Sequence, residues 1–182
     1  KMGTWLVFVG AESGNQRTLD GVKKWIKVED IENCARVLSE MGIKVYGLFM
    51  GFNVWEENGK LCFEGVEECR NTIRFARSLI KKKYMHFMGF SLTNPFPGSP
   101  LFDIVNRHNL IDQTEGWIHW NDLWKLNLKL PGLTIKDWEI VKSEAGRVQA
   151  LCAIKSGMIN FGTIYPLFRR GLTKTVEQAW MS

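Results

Sequence analysis

Three short apolar runs, at positions 5–9, 44–50 and 85–92, divide the first half of the chain. Each is nearly continuous rather than alternating, the pattern of a strand buried on both faces in a parallel sheet. Between the first two runs, Val28, Ile31, Cys34 or Ala35, Leu38 and Met41 recur at three- and four-residue steps. Glu29 and Asp30 fall in the first turn and Gly42 just past the end, so a helix is predicted here with both ends signalled. Between the second and third runs, Val66, Cys69, Ile73, Ala76 and Ile80 form another apolar stripe. Glu64, Glu67 and Glu68 precede or open it and Lys81, Lys82 and Lys83 close it, each sign matching the helix dipole. Strand starts about 40 residues apart leave ample chain for parallel crossovers.

The alternation then stops. Thr93-Asn94-Pro95-Phe96-Pro97-Gly98-Ser99-Pro100 carries three prolines, which predict a rigid turn rather than a continuing helix or central strand. Residues 106–132 are rich in tryptophan and polar turn formers. Ile135, Trp138, Val141, Ala145, Val148 and Cys152 resume helical spacing to about residue 158. A short last helix, broken near Pro166, is expected to follow. The fold class is therefore α/β, three parallel strands with helices, followed by a helical C-terminal extension.

Composition adds limits. With 182 residues, 45% hydrophobic and 24% charged, the chain suits one core plus an appendage. No apolar stretch approaches the roughly 20 residues that cross a bilayer, so no membrane span is expected. The net charge of +5 comes from dispersed basic residues, and a solvated surface explains it better than nucleic acid does. Four cysteines, Cys34, Cys62, Cys69 and Cys152, are too widely spaced for a zinc knuckle or a secreted disulfide scaffold. A reducing, cytoplasmic setting is expected, with Cys34, Cys69 and Cys152 packed as small core residues. The opening Lys1-Met2-Gly3-Thr4-Trp5 runs straight into a strand without a signal peptide, as a break within a longer protein would.

Parallel α/β folds place their functional loops at the carboxyl ends of the strands. After the first strand, Gly10-Ala11-Glu12-Ser13-Gly14-Asn15-Gln16 sets a carboxylate beside a hydroxyl, a pair able to grip a sugar diol or an amine. Helix capping by Ser13 or Asn15 explains the same residues. After the second strand, Gly51-Phe52-Asn53-Val54-Trp55-Glu56-Glu57-Asn58-Gly59 reads as a lid or a surface loop. The proline-rich third loop suits a wall against a flat ligand or a structural corner.

In order, the Gly10-to-Gln16 turn, Leu19 and Lys24, Gly42-Ile43-Lys44-Val45, Asn71-Thr72-Ile73-Arg74-Phe75-Ala76 and Thr93-to-Leu101 resemble the second half of a radical S-adenosylmethionine barrel. The resemblance is strongest to the subgroup that carries an N-terminal cobalamin-binding domain, and it spans about residues 5–107. It implies half of a partial TIM-type (β/α)6 barrel over 1–107 and a mostly helical extension over 108–182. It also implies an enzyme that reductively cleaves S-adenosylmethionine at a 4Fe-4S cluster and goes on to hydrogen abstraction or cobalamin-assisted methyl transfer. Carried over by position, Glu12 would reach the ribose hydroxyls, with Ser13 and Gly14 shaping the turn. Lys24 would hold the methionyl carboxylate, with the adjacent Lys23 as the alternative. Phe49 to Gly51 and Thr93, Asn94 and Pro95 would line the adenine.

Three departures stand out. The family's Gly-x-Pro-x-Glu turn is replaced by Gly51-Phe52-Asn53-Val54-Trp55-Glu56, and Trp25 stands where glycine is usual. The C-x3-C-x2-C loop that would ligate the cluster is absent, so its ligands are expected in a preceding half of the same protein. The eight tryptophans suit a large apolar small-molecule substrate or simple packing. A non-catalytic nucleotide- or protein-binding half-barrel and an RNA-modifying relative are the alternative functions.

Overall fold

The computed structural model describes residues 3–111 and 128–155. Within these, the three apolar runs form β1 (Leu6–Glu12), β2 (Lys44–Gly51) and β5 (Phe87–Leu92), and the two amphipathic stripes form α2 (Val28–Glu40) and α3 (Val66–Lys81). A short α1 (Gln16–Gly21) follows β1, while β3 (Val54–Glu57) and β4 (Lys60–Phe63) follow β2. The order ends with α4 (Pro100–Arg107) and α5 (Ile135–Lys155). The tryptophan-rich stretch lies partly, and the helix expected near Pro166 wholly, outside the described residues.

The sheet is parallel throughout, in the order β1-β2-β5. It is an open α/β layer with no closed barrel among the described residues. Side chains alternate across it. Val45, Phe49, Met88, Phe90 and Leu92 are buried on the helix-covered face, where Phe49 meets Phe75 of α3 edge-on at 6.4 Å. α5 packs against α3 and β5 and is clamped by the forked contact of Arg70 with Glu144, 2.8 Å at its shortest.

The other face differs from the expected burial on both sides. Phe8 is 60% exposed and Leu48 is 42% exposed, while Tyr46 and Met50 are half-buried. Phe8, Tyr46 and Phe87 stack across the three strands with ring centroids 4.9 and 5.8 Å apart. Apolar alternation cannot reveal such a face, because both sets of side chains are hydrophobic.

Three further local expectations are corrected. Cys34 lies exposed on α2, because Ala35 rather than its neighbour takes the inward position. The segment after β2, read as a lid or a surface loop, is a regular β-hairpin. Pro100 opens a helix instead of only ending a turn, since an N1 residue needs no N–H donor, and Ser99 Oγ caps it by accepting from Phe102 N at 3.2 Å.

Candidate functional site

Pairing between β1 and β2 slips between Gly10 and Glu12, a bulge that leaves Glu12 at φ 61. A left-handed conformation costs a non-glycine residue roughly 1–2 kcal/mol. It turns the carboxylate toward Lys24, whose Nζ donates to Glu12 Oε1 at 2.9 Å. Gly10 gives the pair its space, because a Cβ there would stand 3.1 Å from Glu12 Oε1 and 3.2 Å from Lys24 Nζ. Lys24, and not the neighbouring Lys23, makes this ion pair.

The segment carrying Lys24 is held from behind. Gln16 donates to Ile26 O at 3.2 Å and accepts from Val28 N at 3.0 Å, and Lys24 N donates to Leu19 O at 2.9 Å. Lys23 at φ 56 and Trp25 at φ 59 bracket Lys24 in left-handed backbone. That geometry turns Lys24 toward Glu12 and Trp25 outward, where it is 85% exposed. Trp25 thus adopts the backbone conformation that a glycine would take without strain.

Ser13 faces the interior. It is fully buried and its Oγ donates to Glu64 Oε1 at 2.8 Å. Its proton being committed, Ser13 Oγ accepts from Thr72 Oγ1 at 3.1 Å. Gly14 N donates to Thr72 Oγ1 at 2.9 Å, and a Cβ on Gly14 would lie 3.0 Å from Thr72 Cα. Asn15 opens α1 without capping it, because its amide instead donates to Glu68 O at 2.8 Å and to Glu64 Oε1 at 3.3 Å.

Glu64, read from sequence only as an acid near a helix start, is the centre of this region. It is fully buried, and its Oε1 also accepts from Thr18 Oγ1 at 2.8 Å. Its Oε2 accepts from Asn53 N at 3.1 Å and Asn53 Nδ2 at 2.9 Å. Asn53 Oδ1 then accepts from Thr93 Oγ1 at 3.2 Å. One carboxylate, solvated by neutral donors, therefore ties the loops after β1, β2 and β5 together. Its charge and burial push the neighbouring Cys69 thiol well above the usual range, burial being the larger cause. No spacing or local motif could have announced this role, since its side-chain partners come from two segments remote from it in sequence, Ser13 to Thr18 and Asn53.

Of the positions implied for adenine, Thr93, Asn94 and Pro95 are buried and Gly51 is closed over by Phe90, whose Cζ would stand 2.6 Å from a Cβ there. The Phe49 ring lies on the helix side, so β2 presents Met50 to the open side instead. Glu12, Lys23, Lys24, Met50 and Thr93 line one cleft of about 580 Å³. That volume is in the range of small-molecule sites.

The opposite wall comes from the hairpin and α4, through Val54, Trp55, Glu56, Ile104 and Arg107. The hairpin turn is Asn58-Gly59 with φ 52 and 74, the two-residue turn whose sequence is the strongest local hairpin signal. Glu56 Oε2 accepts from Arg107, which holds its carboxyl below the usual range, and His108 Nε2 lies 3.5 Å from Oε1.

Comparison with known protein families and with curated proteins finds no match to this chain. No helix among the described residues is long and apolar enough to cross a membrane.

Proposed function

We propose that this chain is the S-adenosylmethionine-contacting half of a radical S-adenosylmethionine barrel, its three strands forming one side of a partial (β/α)6 barrel. The observation that carries this reading is the Glu12–Lys24 pair, preorganised at a strand's carboxyl end inside a ligand-sized cleft. A carboxylate accepts from both hydroxyls of a ribose, and an ammonium pairs with a methionyl carboxylate. Without ligand the two neutralise each other. The partly exposed aromatic face of the sheet, open at Phe8 and Leu48 though closed at Phe87, adds support, because further barrel strands would cover it.

When bound at a 4Fe-4S cluster, S-adenosylmethionine supplies the adenosyl radical. The described residues do not fit that cluster: no group of three or more potential metal ligands occurs among them, and Cys69 and Cys152 are buried as thiols. The work assigned to this chain is therefore to bind and orient the nucleotide and to wall off the substrate. Cobalamin and the choice between methyl transfer and hydrogen abstraction rest on the resemblance alone.

Titrating S-adenosylmethionine into the 182-residue chain, followed by amide NMR, tests the reading. Glu12→Gln and Lys24→Gln should each weaken binding about tenfold or more, equivalent to about 1.4 kcal/mol. Lys23→Gln should stay within about twofold, because Lys24 and not Lys23 pairs with Glu12 although both line the cleft. Unchanged affinity in Glu12→Gln and Lys24→Gln would sink the proposal.

A further inference from the structure

The hairpin behaves as a unit spliced into the loop after β2. Glu64 N donates to Asn53 O at 2.8 Å, so the residues on either side of it, 53 and 64, are hydrogen-bonded as if the intervening chain were an excursion. The excursion braces both sides of the cleft. Trp55 lies over Gly21, where a Cβ would meet the indole at 2.5 Å, and Arg17 stands 5.9 Å from its ring centroid. Glu56 reaches across to Arg107 on α4.

Within that second ion pair the two partners are unequal. Glu56 is 24% exposed, with one oxygen on Arg107 and the other facing His108, whereas Arg107 is 55% exposed. The contact to Glu56 engages a single guanidinium nitrogen, and the remaining Arg107 donors have no partner among the described residues. A ligand entering the cleft therefore meets unspent N–H donors in a planar fork, the geometry that matches carboxylate and phosphate oxygens. Lys23, Lys24 and Arg107 balance Glu12, Glu56 and Asp103 along the lining, so directional donors rather than bulk charge would hold such a group.

We propose that the hairpin end of the cleft is an anion site in which Arg107 binds a carboxylate or phosphate group of the substrate in competition with Glu56, which occupies one guanidinium nitrogen until that group arrives. That this group belongs to the substrate rests on the function proposed above; the anion site itself does not.

The test follows the Arg107 Nε–H NMR signal of the whole chain during separate titrations with inorganic phosphate and succinate. A saturable shift with phosphate alone or succinate alone identifies which anion fits, and either supports the site. Arg107→Gln should weaken binding about tenfold. Glu56→Gln should tighten it by about threefold, because the competing carboxylate is gone, and a damaged fold could not produce that gain. No response at Arg107 with either anion, binding that survives Arg107→Gln, or weaker binding in Glu56→Gln would overturn the proposal. S-adenosylmethionine titrations of the same samples separate the two readings. An intact anion response with no nucleotide binding removes the function proposed above and leaves the anion site standing.

Discussion

Lys24 Nζ donates to Glu12 Oε1 at 2.9 Å across a turn in which both Glu12 and Trp25 have left-handed backbone. Bulky residues in that region store strain, and such strain gathers at ligand sites. Trp25 is the cleaner probe, because the residue is 85% exposed and contributes little packing. Trp25→Gly should leave stability unchanged or raise it by up to about 1 kcal/mol, the relief of strain being partly offset by a more flexible unfolded chain. Denaturant unfolding of the variant measures this, and a clear loss of stability would show that Trp25 packs against something.

Glu64→Gln should be costly although it preserves shape. With its oxygen on Ser13 and Thr18, an amide turns its NH2 against the two Asn53 N–H donors; with its oxygen on Asn53, both hydroxyls must reverse to accept and lose their shared charged acceptor. Leaving such buried groups unmatched costs about 1–3 kcal/mol. The loss should appear in chemical denaturation, together with weaker protection of the Gly14 and Asn53 amides from hydrogen exchange. A variant as stable as the parent would mean that the hub relaxes freely.

His86 gives the fold a pH dependence of known sign. Its Nδ1 accepts from Val45 N at 3.3 Å, and burial, aided by Lys44, holds its pKa below the usual value. The unfolded chain binds a proton at this site before the native chain does, so this contribution is present above about pH 6.5 and fades as pH falls below it. Thermal unfolding between about pH 7.5 and 5.5 should show a steeper decline for the parent than for His86→Gln. Parallel curves would contradict this.

Cysteine reactivity should follow burial. Cys34 is exposed, Cys62 half-buried, and burial raises the pKa of both Cys69 and Cys152. Under native conditions a limiting amount of iodoacetamide should label Cys34 first and spare Cys69 and Cys152 until the protein unfolds. Peptide mass spectrometry reads the order directly. Early labelling of Cys69 would mean that the Glu64 region opens readily.

The strands and the long helices were legible because burying one side of each leaves a period in the chain: Ile31 and Ala35 on α2, Cys69, Ile73 and Ala76 on α3, Val141, Ala145 and Val148 on α5. The partly exposed face was not, since Phe8 and Leu48 are as apolar as the Val45 and Phe49 they alternate with. The hairpin had a readable signal in Asn58-Gly59, which the surrounding acids and aromatics obscured. Glu12 and Lys24 could be named from the order of motifs, but their contact depends on a bulge and two left-handed residues that composition does not announce. Glu64 was invisible, because its donors are brought to it only by the assembled loops.

The most direct measurement of the central claim compares adenosine with 2′,3′-dideoxyadenosine on the parent chain and on Glu12→Gln. If Glu12 grips the ribose diol, the parent prefers adenosine by about tenfold, as loss of a charge-assisted hydrogen bond requires, and the variant loses most of that preference. Equal preference in both proteins, or none in the parent, would contradict the account.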